Sequence, residues 1–175
     1  MAIHRLKWSD YPPDELRGGA VTIGNFDGVH RGHAALVATA KRLAGKVGGP
    51  TVAVTFDPPP VALLNPPAWK LPLATLAERA TALARAGADH VVILETDASL
   101  LALSAEAFFE DVLLRQLGAK AIAEGYNFHF GRGRGGNVET MRALCDGVGV
   151  AFEEVAPLLH GGEAISSSRV RAAVN

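Results

Sequence analysis

Very little in this chain speaks for an extracellular or membrane setting. There is one cysteine, Cys145, so no internal disulfide can form, and a lone thiol suits a reducing cytosol. No apolar run approaches membrane-spanning length. The first residues, Met1 to Leu16, mix charges with two prolines where a signal peptide would have an apolar core. Net charge is −1 at pH 7, from 17 basic and 18 acidic residues, which leaves no electrostatic footprint for general nucleic-acid binding. There is no internal repeat, and no linker long enough to separate a pair of domains. The expectation is one cytoplasmic globular domain, since 175 residues suffice for a substantial core and a content of 49% hydrophobic and 20% charged residues is ordinary for such a domain.

What the chain does have is an alternation of short apolar runs with longer amphipathic ones. Ala20–Ile23, Thr51–Phe56, His90–Leu94, Ala119–Ala123 and a stretch near Val150–Glu154 read as strands. Between them, Ala34–Lys46 reads as a helix, and Thr75 caps another through Arg85, with Glu78 at capping-box spacing and Gly87 as its stop. Ser104 caps a third, running to about Leu117 and closed by Gly118. Further helices are expected near Val138–Cys145 and after Ser166, while Pro58 to Pro72 reads as an irregular loop. This order predicts an α/β, Rossmann-like doubly wound parallel sheet with helices on both faces, in a single domain. In such sheets ligands bind beyond the C-terminal strand ends, so Gly24–His33, Phe56–Pro60, Glu95–Asp97 and Gly125–Arg134 are expected to share one rim.

The most informative segment is Gly24-Asn25-Phe26-Asp27-Gly28-Val29-His30-Arg31-Gly32-His33, a glycine-rich turn between a strand and a helix start. Gly24, Gly28 and Gly32 allow positive φ and close backbone approach. The helix start offers unpaired N–H groups and a partial positive charge, which together suit phosphate. His30 and His33, three residues apart, are expected on one helical face, both aimed at one bound anion. Neither the G-x-x-x-x-G-K-[ST] lysine nor the G-x-G-x-x-G spacing is present. The plainer alternative is a surface turn with two solvated histidines; zinc is disfavoured because no third Cys or His stands at a supportive spacing.

Three other segments carry possible chemistry. Ile165-Ser166-Ser167-Ser168-Arg169-Val170-Arg171 joins hydroxyl caps to arginines one turn on, a phosphate-binding arrangement that also reads as a merely capped terminal helix. Gly125-Tyr126-Asn127-Phe128-His129-Phe130-Gly131 can support a planar ring through Phe128 and Phe130 and hydrogen-bond through Asn127, or be a hairpin with packed aromatics. Phe56-Asp57-Pro58-Pro59-Pro60 is a stiff corner that can wall a site, with Asp57 equally suited to capping a turn.

The H-x-G-H pair resembles the signature of the nucleotidyltransferase superfamily. The ordered set G-N-F-D-G-V-H-R-G-H, T-F-D-P-P-P, L-S-A-E-A-F-F-E-D-V-L-L-R-Q-L-G-A-K, G-Y-N-F-H-F-G and I-S-S-S-R-V-R, from about Ala20 to Arg171, resembles the FMN adenylyltransferase module of the prokaryotic bifunctional FAD synthetases. That resemblance implies Mg²⁺-dependent transfer of AMP from ATP to FMN, with release of pyrophosphate and no covalent enzyme intermediate. It implies catalytic roles for His30, His33, Asn127 and Arg171. ATP would be held by Gly24, Asn25, Phe26, Asp27, Gly28, His30, His33, Ser166, Ser167, Ser168 and Arg171. FMN would be held by Phe56, Pro58, Asn127 and Phe128, with Asn127 near Mg²⁺. Other readings are a nucleotidyltransferase acting on pantetheine phosphate, nicotinate mononucleotide or glycerol phosphate, and a non-catalytic nucleotide or flavin sensor.

The chain departs from the resemblance at Pro59, where the family often has histidine, at Ser168, where threonine is common, and at Glu124, an acid on a strand that is usually more β-branched. A riboflavin kinase β-barrel normally follows this module and would not fit in 175 residues, so residues 1–175 are expected to be an adenylyltransferase domain alone, whether a stand-alone protein or a segment of a longer one.

Overall fold

Runs such as Thr51-Val52-Ala53-Val54-Thr55 have no polar face, and strands of that kind need cover on both sides. A computed structural model, which describes residues 2–174, places them at the centre of one sheet. Its strands are β1 (Ala2–Leu6), β2 (Ala20–Ile23), β3 (Thr51–Asp57), β4 (His90–Glu95), β5 (Ala121–Gly125) and β6 (Ala151–Val155). They run in the order β1-β4-β3-β2-β5-β6, every pair parallel. The chain winds outward from β2 in both directions, so the sheet reverses between β2 and β5. In doubly wound sheets that is where ligands bind.

Alternate side chains of the strands feed different cores. Val21, Ile23, Val52, Val54, Val92, Leu94 and Ile122 pack with Phe108, Phe109, Val112 and Met141 on one face. On the other, the small residues Ala20, Ala121 and Ala123 admit α1 (Arg31–Val47) closely, through Ala40, Leu43 and Ala44. Ala53 and Val91 meet Val37 of α1 together with Ala80 and Leu83 of a neighbouring helix.

The remaining helices are α2 (Pro60–Leu64), α3 (Leu76–Ala86), α4 (Ala98–Leu101), α5 (Ala105–Phe108), α6 (Val138–Val148) and α7 (Ser167–Val174). The capping box at Thr75–Glu78, the Ser104 cap and the stop at Gly87 form as the spacing predicts.

Four features differ from the sequence expectation. Pro58 to Pro72 is not wholly irregular: Pro60 takes the first position of α2, where its missing N–H costs nothing, and Pro66–Ala68 adds a 3-10 turn. The stretch before Gly125 is displaced, with β5 spanning Ala121–Gly125 in place of Ala119–Ala123. Past Phe108 the helix that begins at Ala105 widens into π-type turns over Phe109–Gln116, a geometry that no side-chain spacing announces. Lastly, β1 is an additional edge strand within a charged, proline-containing segment. It pairs with β4, and Gln116 Nε2 ties the chain beyond it by donating to the carbonyls of Lys7 and Asp10 at 2.8 and 2.9 Å. Among the described residues no helix is long and apolar enough to cross a membrane.

Candidate active site

The ladder between β2 and β5 holds only the pairs Ala20–Ala121 and Val21–Ile122. Beyond it the strands diverge, and the Ile23 N–H that faces β5 finds Glu124 Oε1, at 2.5 Å. A cleft of about 890 Å³ opens above this fork. Gly24, Asn25, Phe26, His30 and His33 line it from the β2–α1 turn, Phe56 from β3, and Asn127 and Phe128 from the loop after β5. Ser166 and Ser167 close it from the start of α7.

The histidine pair is arranged differently from the expectation of one helical face. His30 is the N-cap of α1, outside the helix at φ −73°, ψ 177°, and its Nδ1 accepts from the His33 N–H at 3.3 Å. The rings stack with centroids 3.6 Å apart and planes 15° from parallel. Because Nδ1 is an acceptor, a neutral His30 carries its proton on Nε2. Gly32 permits the overlap, since a Cβ there would come within 3.0 Å of the His30 ring. On its other side His33 meets the edge of Phe26, with centroids 5.2 Å apart. Its Nδ1 is buried with no described partner, leaving Nε2 for a ligand.

Burial lowers the pKa of His33 to about 3, and the neighbouring His30 and Arg79 push it in the same direction. Burial lowers that of His30 as well. Both rings are therefore neutral near pH 7. They can donate to an anion, or take up a proton if one drives it.

The turn itself is strained. Phe26 and Val29 have φ of 50° and 37°, in the region that a buried aromatic and a β-branched residue avoid. Of the three glycines of this segment only Gly28 needs its freedom, at φ 78°. Asp27 holds the turn together. Its carboxylate accepts from Leu73 N at 2.8 Å and from Arg171 at 2.6 Å, while its carbonyl accepts from the Ser167 hydroxyl at 2.9 Å. Arg171 also donates to the Leu71 carbonyl. The residues expected to hold phosphate thus divide: Ser166 and Ser167 face the cleft, whereas Asp27, Gly28, Ser168 and Arg171 stand outside its lining.

The flavin-side residues divide likewise. Phe56 and Phe128 line the cleft, and the ring of Phe128 stacks on Phe130 with centroids 5.4 Å apart. Pro58 does not line it, and Asp57 pairs with Arg5 of the edge strand at 2.9 Å. Asn127 is exposed at the mouth.

Sequence reasoning assigns no role to two residues that the structure makes prominent. Arg79 of α3 is buried, and it donates to Thr55 Oγ1 at 3.2 Å beneath the histidines. Its signal was an arginine within the apolar stripe that includes Ala80 and Leu83. Glu124, conspicuous but without a role, is a buried clamp between diverging strands. Burial raises its pKa well above the usual carboxylate range, against the opposing pull of the Ile23 N–H.

Residues 13–169 match the family described as FAD synthetase. The bifunctional riboflavin kinase/FMN adenylyltransferase of Escherichia coli K12 is 35% identical over 172 residues, which cover 98% of this chain and 53% of that protein. The chain therefore spans about half the length of that relative. Among solved structures, one described as a macrolide-efflux protein from Streptococcus pneumoniae superposes with a TM-score of 0.85 at 28% identity, over 97% of this chain and 55% of the other. Pantoate–β-alanine ligase from Francisella tularensis superposes with a TM-score of 0.60 at 13% identity, over 88% of this chain and 65% of the other, a likeness of fold. The split sheet, the stacked H-x-G-H pair and a match to all but the ends of the sequence agree: the chain belongs to the FAD synthetase family.

Proposed function

We propose that this chain transfers AMP from ATP to FMN, giving FAD and pyrophosphate. The observation that carries the reading is the stacked His30–His33 pair at the start of α1, opening onto the cleft between β2 and β5. The family match and the name of the Escherichia coli relative support the choice of FMN as acceptor.

An FMN phosphate oxygen would attack the α-phosphorus of ATP in line. A bond forms between that oxygen and the α-phosphorus, the bond to the α–β bridging oxygen breaks, and pyrophosphate leaves with the electron pair. FMN is already an anion near neutral pH, so no base is needed, and no side-chain nucleophile takes part. The work left to the protein is alignment and stabilisation of negative charge. In our reading His30 Nε2–H and His33 Nε2 meet the α/β-phosphates, with His33 gaining basicity as charge collects beside it. Gly24, Asn25 and Phe26 shape the nucleotide turn, while Ser166 and Ser167 present hydroxyls to the β/γ-phosphates. Arg171 would reach the triphosphate only by sharing its guanidinium with Asp27; otherwise it acts by holding α7 against the turn. Phe56 and Phe128 would flank the flavin.

The donor set fits a Mg²⁺ ion that arrives on the triphosphate. Asp27 is engaged by Arg171, and the Glu124 carboxyl is buried and clamped to Ile23, so the Asn127 amide oxygen is the protein ligand we assign. Such an ion, keeping mostly phosphate and water ligands, would neutralise some of the triphosphate charge. The test is chromatographic separation of flavins after incubation with FMN, ATP and Mg²⁺. FAD formation that His33→Ala depresses supports the proposal; FMN binding without any FAD would replace the enzyme by a flavin sensor.

A further inference from the structure

Away from the cleft, toward the N-terminal ends of the strands, three metal-ligating side chains converge. His4 of β1 and His90 of β4 lie on one face of the sheet, because Ala2 pairs with His90 and His4 with Val92. Glu15 belongs to the 3-10 turn Asp14–Leu16, whose Leu16 is buried in the core of that face. His4 Nε2 lies 3.4 Å from His90 Nδ1 and 3.5 Å from Glu15 Oε1, and the three ligand atoms all lie within 4.8 Å of one another.

A shared proton accounts poorly for these contacts. Bonds from N–H groups centre near about 2.9–3.0 Å, and a neutral imidazole would have one N–H to divide between two acceptors. A tetrahedral cation with bonds of about 2.0–2.1 Å, by contrast, holds its ligand atoms roughly 3.3–3.4 Å apart. The backbone fixes two of the three ligands on adjacent strands, and the His4 side chain is only 14% exposed. The Glu15 side chain is 56% exposed, which leaves water access to a fourth position.

We propose that His4, Glu15 and His90 bind a borderline divalent transition cation, Zn²⁺ above all, that clips the edge strand β1 and the Asp14–Leu16 turn to β4. Two imidazoles and one carboxylate select such an ion over Mg²⁺, which prefers all-oxygen ligands. None of the three residues lines the cleft, so the site is structural and separate from nucleotidyl transfer.

Titration of the chelator-treated chain with Co²⁺, read by visible d–d absorption, tests this directly. One Co²⁺ per chain is expected, displaced by Zn²⁺ but not by Mg²⁺, with affinity reduced at least about 10–100-fold in His90→Gln and in the exposed, fold-neutral Glu15→Gln. Zn²⁺ should raise the Tm of the parent chain and raise that of Glu15→Gln less at the same concentration. The His30→Gln/His33→Gln double variant should keep the spectrum. No absorption in the parent chain, absorption that survives both His90→Gln and Glu15→Gln, or absorption that disappears with the cleft histidines overturns the proposal.

Discussion

Helices α1 and α3 begin in opposite ways, and the contrast separates a helix start closed by its own side chains from one left open to the cleft. At α3, the Thr75 side chain accepts from Glu78 N at 3.2 Å while Glu78 Oε2 accepts from Thr75 N at 2.8 Å, so each residue satisfies the other's backbone. An acid also sits in the first turn, where the helix dipole favours it. Asp97, Ser104 and Asn137 cap α4, α5 and α6 in the same spirit. At α1 the cap is His30, through one long bond of 3.3 Å, and the first turn carries no acid. The positive end of a 17-residue helix is left facing the cleft. On the reading proposed above, the triphosphate would complete it.

The sharpest way to break this contrast is at His33. Removing a preorganised donor from a developing anion costs on the order of 10²–10³ in rate, and His33→Ala should show a loss of that size in FAD formation with unchanged circular dichroism. Turnover equal to the parent would remove the histidines from the mechanism. The same residue sets an acid limit. His33 stays neutral in the fold down to about 3, whereas the unfolded chain takes up a proton near the ordinary 6.5. The unfolded state therefore binds more protons between those values, and stability declines as pH falls through that window. Urea midpoints measured across it should flatten in His33→Gln.

Next in size is His30→Asp, which gives α1 the kind of start that α4 has. A carboxylate cap and an acid at the dipole's positive end stabilise a helix by roughly 0.5–1 kcal/mol, so Tm should hold or rise. Activity should nevertheless drop at least about tenfold, because the carboxylate repels the phosphates it displaces. A variant both more stable and equally active would show that the open helix start serves no ligand.

Much of this contrast was legible in the sequence, because caps and glycine turns act through near neighbours. Thr75 with Glu78, and Ser104, are three-residue signals, and the H-x-G-H segment announces both turn and helix start. Sequence spacing alone could not settle what depends on contacts between distant segments. His30 was expected on the helix face and is instead the cap, a choice made by one φ/ψ pair. Arg171 looked free for phosphate, yet Asp27, 144 residues away, holds it. The burial of Arg79 follows only from the packing of α3 against the sheet, and β1 is obscured by the charges that an edge strand tolerates.

The cleft holds a second residue that works against stability, Glu124. Its raised pKa means that the folded state keeps a proton the unfolded chain would release, so stability is fullest in acid and is lost as pH rises above the ordinary carboxylate value of 4.5. Glu124→Gln keeps an oxygen for the Ile23 N–H and has no charge to bury. It should gain about 1–3 kcal/mol at pH 8 and nothing at pH 4, a difference that paired urea titrations would measure. A pH-independent effect would mean that the carboxyl takes up its proton in the fold as it does in the unfolded chain.

The smallest effect lies on the α3 side. Thr75→Ala removes the hydroxyl that Glu78 N–H needs and the partner to which Glu78 Oε2 is bonded, at a cost of about 1 kcal/mol. Tm should fall by a few degrees while kcat and KM for FAD formation stay at the parent values. α3 carries the buried Arg79, so the measurement also probes how tightly a cap is coupled to the charge that helps to lower the pKa of His33. Fraying confined to the first turn leaves Arg79 Nη1 on Thr55 and turnover intact. A fall in kcat would mean that the start of α3, although built for folding, also sets the position of the charge beneath His33.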